Sequence, residues 1–369
     1  MGKHLCSKGI LAGLLLLSLL VATPGIAQQK VSLTAAHQNQ AASVIGVAFD
    51  RMAELANKSG IVEIKVFAGG TLGQEREMIE QTMAGVMNMC IASPGNLGVF
   101  EPSAGLLALP FIYRDVEHVR IVADGPVFNK INDRLIKNIG VRSLTSGFPG
   151  FRYTYTKSKA VQSIEDFKGM KIRVPPSEVH VETFKAIGAN PTPIAFGEIY
   201  TSLQTGVIEG MENINEYIYE PKLHEQLKFA SRTGHMFEPW QILISEKTWQ
   251  KMSDRQQQVV KDAAVQAWKE QREKQAVRNL EFENILKNAG MKFNDINREP
   301  LRQATEPVRQ KLAAKVPGGV ELVMEIMAAK SMLYRLGAQL DQGQDRKIVH
   351  ARASALKLYC SEMAGRVID

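Results

Sequence analysis

The sequence predicts an α/β protein of two lobes, with a cleft between them and one long helix spanning both. Three observations lead there. Segments that alternate apolar and polar residues are interleaved with segments of helical period, the pattern of sheets flanked by helices. The 369 residues exceed what one hydrophobic core usually organises. One uninterrupted helical pattern follows Ser253, where Gln256 completes a capping box, and ends before Gly290. At 1.5 Å per residue it reaches roughly 54 Å, enough to touch two lobes.

Residues 1–27 read as an export signal and not as part of the fold. Lys3, His4 and Lys8 make a basic start, and 9–22 is an apolar run too short to span a bilayer. Gly25-Ile26-Ala27 is a small-x-small cleavage site, so the mature chain is expected to begin at Gln28. Loss of Lys3 and Lys8 brings the formal charge from +7 to about +5, spread without a basic cluster, which argues against nucleic-acid binding. Cys90 lies in an apolar run and reads as a small core residue. No cysteine or histidine spacing suggests zinc, and no cofactor is expected.

In the mature chain, 31–36 alternates as a first strand, with His37 and Gln38 at its end. A helical pattern over 41–58 stops at Ser59-Gly60, and 61–67 alternates as a second strand. A helix over 75–84 ends at Gly85, and 86–92 is a third strand that releases Ser93 and Asn96 at the edge where a ligand would lie. The run 106–113 packs against the cleft wall, 115–125 is helical, and 141–146 is a fourth strand. Gly147-Phe148-Pro149-Gly150 lacks the Lys-Ser/Thr of a phosphate cradle and reads as a crossing between lobes.

Arg152 stands in the alternating run 151–156. In 171–174 alternation ends abruptly at Pro175-Pro176, which delivers Arg173 at a rigid strand end. A guanidinium there can grip a carboxylate with two parallel hydrogen bonds. A helix over 179–187, the extended 190–193, a helix over 196–205 and a strand ending at Asn213 follow. This places Arg173 and Asn213 at carboxyl ends of strands, where open α/β sheets bind ligands. A polar helical stretch over 216–227, a return over the hinge at 229–235 and a short strand at 241–244 precede the long helix.

The residues G-M-K-I-R-V-P at 169–175 and G-A-N-P-T-P-I-A-F-G-E-I-Y-T-S-L-Q-T-G-V-I-E-G-M-E-N at 188–213 resemble a known family. It is the solute-binding proteins of tripartite ATP-independent periplasmic (TRAP) transporters, of the dicarboxylate-binding (DctP) type. The likeness runs from about Val31 to about Ile326 and implies the two-lobed periplasmic binding-protein fold. Lobe I would hold 28–149 and 239–280, and lobe II 150–238 and 281–326. Residues 327–369 would form a helical extension, similar to the C-terminal helices of acyl-CoA dehydrogenases but without their flavin-contacting turn.

The resemblance implies a periplasmic receptor for a small organic acid, delivered to the integral membrane subunits of a TRAP transporter. It makes Arg152 and Arg173 the carboxylate partners, with a structural salt bridge the competing role for Arg152. Asn213 would hydrogen-bond the ligand or cap the following helix, and Phe196 would stack on the carbon skeleton or join the core. Ser93 stands where some members carry an acidic contact. His37, Gln38, Asn96 and Trp240 are further candidates, and Glu212 is expected to brace its strand end.

An enzyme is not expected. There is no His-Glu-x-x-His, no Gly-x-Ser-x-Gly and no paired cysteines, and His118, His180, His224 and His235 show no common face. The same residues also fit a binding module that feeds a signalling receptor.

Overall fold

A computed structural model of the chain describes residues 29–329. The expected export signal, and nearly all of the expected C-terminal extension, lie outside the described residues.

Two sheets carry the fold. The first holds β1 (Val31–Ala36), β2 (Val62–Phe67), β3 (Met89–Ala92), β4 (Val141–Gly147) and β10 (Trp240–Ser245), in the order β2-β1-β3-β10-β4. β1 runs parallel to β2 and β3, as strands joined by helical crossovers must, and the helices Val44–Asn57 and Glu75–Ala84 are those crossovers. β10 returns from the other half of the molecule and is antiparallel to both β3 and β4. Its apolar residues divide by the period of two. Ile242 and Ile244 join Phe49, Met52 and Trp268 in one core, while Leu243 joins Leu107, Val119 and Leu135 in another.

The second sheet holds β5 (Tyr153–Thr156), β6 (Lys171–Val174), β7 (Asn190–Pro193), β8 (Gly210–Asn213), β9 (Phe229–Ser231) and β11 (Lys292–Asn294), in the order β11-β9-β5-β8-β6-β7. The extended 190–193 segment is an edge strand, the one place in a sheet where Pro191 and Pro193 leave no ladder bond unmade. Tyr155, Met211 and Ala230 pack on Ile199, Leu203 and Leu286, and Ile172 and Val174 pack on Phe167, Phe184 and Leu301.

The helix Asp254–Asn288 forms with the expected capping box: Ser253 N donates to Gln256 Oε1 (3.0 Å) and Gln256 N to Ser253 Oγ (3.3 Å). Val260, Ala263, Ala264, Ala267 and Trp268 belong to the first sheet's core and Leu286 to the second's. Between them, Gln271 and Gln275 hold the crossing from β4 to β5 through Phe148 N, Phe148 O and Pro149 O. Gly150 turns there with φ +121, and a Cβ would sit 2.3 Å from Asn279 Nδ2.

Several local expectations shift. β3 begins at Met89, because Gly85 at φ 78 closes the preceding helix and leaves Val86 exposed. The helical stretch expected over 216–227 breaks after Tyr219 and resumes only as a 3₁₀ turn at Leu223–Glu225, since Pro221 has no N–H to continue the ladder. The helix Pro126–Ile139 and the helix Glu299–Ala314 were not foreseen. Packing of 299–326 is divided: Leu301 joins the second sheet's core, and Val308, Leu312 and Ile326 join Leu107 and Leu135 beside the first. Cys90 is a buried free thiol that accepts from Thr82 Oγ1, as its apolar run suggests.

Candidate functional site

A cleft opens between the two sheets. Gln38, Asn39, Gln74, Glu75, Ser93, Asn96 and Trp240 line one wall, and Arg152, Arg173, Phe196 and Asn213 line the other.

Arg173 is the third residue of β6, fixed between Met211 of β8 and Thr192 of β7. Only 3% of it is exposed. Its Nε donates to the Ile194 carbonyl at 2.8 Å, and neither Nη has a hydrogen-bond partner among the described residues. Burial draws its pKa down to about 10 against the pull of Glu212, so it remains a cation at neutral pH. Asn213, the last residue of β8, accepts from Ile214 N at 2.9 Å through Oδ1. That contact is not a helix cap, since Asn215 stands at the N-cap of the following helix, and it leaves the Asn213 amide N–H₂, a donor, for the cleft. Phe196 meets Tyr217 edge-on (6.0 Å between centroids), and Tyr217 stacks on Trp240 (5.7 Å), so a run of aromatic rings leads from Phe196 beside the two donors to Trp240 on the facing wall.

Arg152 has different surroundings. It precedes β5 and is buried among carboxylates. Nε and Nη2 donate to both oxygens of Glu212, Nη2 also to the Glu212 carbonyl (3.1 Å), and Nη1 to Glu238 Oε2 (3.1 Å). Burial by itself opposes every charge here, yet Glu212 and Glu238 raise the Arg152 pKa above the usual arginine value. The converse holds for Glu212: burial raises its pKa, but Arg152 and the histidines outweigh burial and hold it well below the carboxylate range. Glu238 is likewise lowered. Its Oε1 accepts from Gly95 N at 3.0 Å, so this one carboxylate ties Arg152 to the helix after β3.

Two histidines that showed no common face in the sequence come together on these acids. His235 Nε2 lies 3.3 Å from Glu212 Oε2, and His180 Nε2 lies 3.5 Å from Glu238 Oε2 and 3.9 Å from Glu212 Oε1. Burial lowers the His235 pKa against the pull of Glu212. Glu212 does brace its strand end, by binding Arg152.

On the opposite wall, Ser93 contacts Glu75 by both N and Oγ (Oγ to Oε1, 2.6 Å), and Gln38 Nε2 reaches Glu75 Oε2 at 3.2 Å. Burial raises the Glu75 pKa despite these donors. An acid therefore does stand at Ser93, carried by the helix Glu75–Ala84. Glu75, Glu238, Asn39 and Tyr217 were missed from the sequence. The one available signal was Gln74-Glu75 opening a helix directly after a glycine-rich turn. Gln38, Asn96 and Trp240 line the cleft as expected, whereas His37 does not. It is fully buried beneath the wall, stacked on Phe49 at 5.2 Å, and burial lowers its pKa to about 4.

Residues 35–316 match the family described as bacterial extracellular solute-binding protein, family 7 (DctP). The 2,3-diketo-L-gulonate-binding periplasmic protein of Escherichia coli is 29% identical over 269 residues, covering 72% of this chain and 82% of its own. A TRAP periplasmic solute-binding protein of Pseudomonas putida F1, solved with bound D-glucuronate, superposes with TM-score 0.77 at 34% identity, covering 81% of this chain and 97% of its own. The sugar-acid-binding protein of Advenella mimigardefordensis in complex with galactonate gives 0.78 at 26% identity, covering 82% and 98%.

Proposed function

The chain belongs to family 7 of the bacterial extracellular solute-binding proteins, and from that membership we infer that it is an extracytoplasmic receptor that binds a small organic acid and delivers it to a TRAP transporter. Its relatives are binding proteins and not enzymes. The observation that carries the ligand class is Arg173: a buried guanidinium with both Nη groups unpartnered among the described residues, facing a cleft. Leaving a charge so placed is costly, and an anion in the cleft relieves that cost.

In our reading a ligand carboxylate takes two charge-assisted hydrogen bonds from Arg173 and a third from the Asn213 amide. Phe196 covers the carbon skeleton. Arg152 positions rather than grips: Glu212 and Glu238 offset its charge, and it holds the strand ends of β5 and β8 in register beside the anion. The bound glucuronate and galactonate of the solved relatives favour a sugar acid here. Residues 1–27 would be removed on export, and the loaded receptor would dock on separate integral membrane subunits.

A thermal-shift screen of the mature protein against D-glucuronate, D-galacturonate, D-galactonate and simple keto and dicarboxylic acids tests this. A ligand at 100 times its dissociation constant adds about 2.7 kcal/mol of stability. A flat response to every acid would count against the reading.

A further inference from the structure

The wall that faces Arg173 has a chemistry of its own. Asn39 Oδ1, the Tyr217 hydroxyl and Trp240 Nε1 are buried atoms without a hydrogen-bond partner, and all three side chains line the cleft. Asn39 and Tyr217 are each 2% exposed and Trp240 5%. Orphaned polar atoms this deeply buried are rare unless something absent completes them. Beside them sits the Glu75 carboxyl.

The cations lining the cleft, among the described residues, are Arg76, Arg152 and Arg173. Arg152 is engaged by Glu212 and Glu238. Arg76 lies at the rim, more than half exposed, with Nε on Glu80 Oε1 at 3.2 Å and its guanidinium over the Phe100 ring. Arg173 is therefore the one buried cation there with unpartnered N–H groups. The far wall offers acceptors at Asn39 Oδ1 and Glu75, and donors at Tyr217 and Trp240.

Resting on the organic-acid reading above, we propose that the cleft admits a single carboxylate: Arg173 takes it, while the wall of Glu75, Asn39, Tyr217 and Trp240 reads hydroxyl groups and rejects a second carboxylate. A hydroxyl both donates and accepts, so it can satisfy Asn39 Oδ1 and Tyr217 together. A carboxylate only accepts. At the same place it leaves Asn39 Oδ1 unpaired and lies beside the Glu75 carboxyl, while Arg152, a buried cation within reach of Glu75, is already engaged by Glu212 and Glu238. Sites that hydrogen-bond a ligand hydroxyl discriminate strongly, since a mismatch strands buried polar groups. The ligand class is a polyhydroxylated monocarboxylic acid, and the matching diacid is excluded.

The test is calorimetric titration of the mature full chain with pairs differing only at the far carbon: D-gluconate against D-glucarate, and D-galactonate against galactarate. In the better-bound pair we expect the monoacid to bind at least tenfold tighter than its diacid. Glu75→Gln should narrow that gap, with the diacid gaining relative to the monoacid. Tyr217→Phe should weaken the monoacid without helping the diacid. Equal or tighter diacid binding by the unmodified protein overturns the proposal and leaves the acid receptor standing. An unchanged gap in a folded Glu75→Gln variant removes Glu75 from the selection. Failure of these and all other acids of the thermal screen to bind overturns both readings.

Discussion

Replacing Arg173 by Met separates what this residue does for the fold from what it does for the ligand. The substitution keeps an unbranched stem of similar length in a buried slot and removes the guanidinium. In the empty protein one hydrogen bond is lost, Nε to the Ile194 carbonyl, at about 1 kcal/mol. Against that, a buried cation with two unpartnered Nη groups disappears, and its desolvation with it. The two effects oppose, so the empty variant should melt within a few degrees of the parent or above it. Binding should collapse. Truncating one partner of a buried, hydrogen-bonded charge pair costs about 2–5 kcal/mol, which is a rise in dissociation constant of roughly 30- to 4,000-fold. Titration calorimetry with whichever acid gives the largest thermal shift, and a melting curve of the empty protein, are the assays. Affinity retained within threefold would refute the placement of the carboxylate on Arg173. A large loss of stability in the empty variant would refute the claim that burial of the guanidinium outweighs its attraction to Glu212, Glu75 and Glu238.

Glu212→Gln should behave in the opposite way. It leaves Arg152 buried with half its neutralising partners, so urea unfolding should show a loss of about 3–5 kcal/mol, and a loss under 1 kcal/mol would mean that Arg152 is not held as described. Two groups set opposing pH trends in stability. His37 titrates near 4 in the fold against an ordinary 6.5, so the unfolded chain takes up the proton first and stability is lost as pH falls from about 6.5 to 4. At 1.36 kcal/mol per unit this amounts to about 3 kcal/mol, and His37→Phe should flatten the acid limb of a urea-midpoint profile by up to that amount. Glu220 is pushed up to about 8 by burial and by the adjacent Glu216, whose Oε2 has no hydrogen-bond partner among the described residues. The folded state therefore holds a proton that the unfolded chain releases, and stability declines as pH rises from about 4.5 through 8. Glu220→Gln should abolish that decline; a profile identical to the parent's would show that Glu220 does not hold the proton.

Much of this was legible in the chain before any coordinates. The strand ends at Arg173 and Asn213 are announced by Pro175-Pro176 and by the helix–Gly–strand spacing after Phe196, all local signals. The capping box at Ser253 and Gln256 is local too, and the long helix begins where it says. What failed to show is what depends on distant partners. Glu238 meets Arg152 from 86 positions away, and Glu75 meets Ser93 from 18, so neither acid carries a period or motif that marks it. The convergence of His180 and His235 on Glu212 and Glu238 is the clearest case. It arises because a helix after β6, a crossing after β9 and the end of β8 meet at one point, and no spacing in the sequence encodes that. His37 erred in the other direction: a strand end predicts the cleft, but the ring finds Phe49 and turns inward.

The contrast between the two arginines explains how such a receptor can be selective and still let go. A guanidinium with its own carboxylate partner, as Arg152 has in Glu212 and Glu238, gives an arriving anion little, because one ion pair would merely replace another. Two unpartnered guanidiniums would demand a dianion and leave the empty protein with two uncompensated buried charges. One of each is the arrangement found. Contacts that need no ligand already join the walls: Gly197 N donates to Gln74 Oε1 at 3.2 Å, and Glu238 links Gly95 to Arg152. These lower the cost of bringing the walls together, so the ligand has to supply only the difference that Arg173 leaves open. A ligand shifts a conformational equilibrium by no more than its differential affinity for the two states. In the proposed binding mode that difference resides in one charge, so a single carboxylate would suffice.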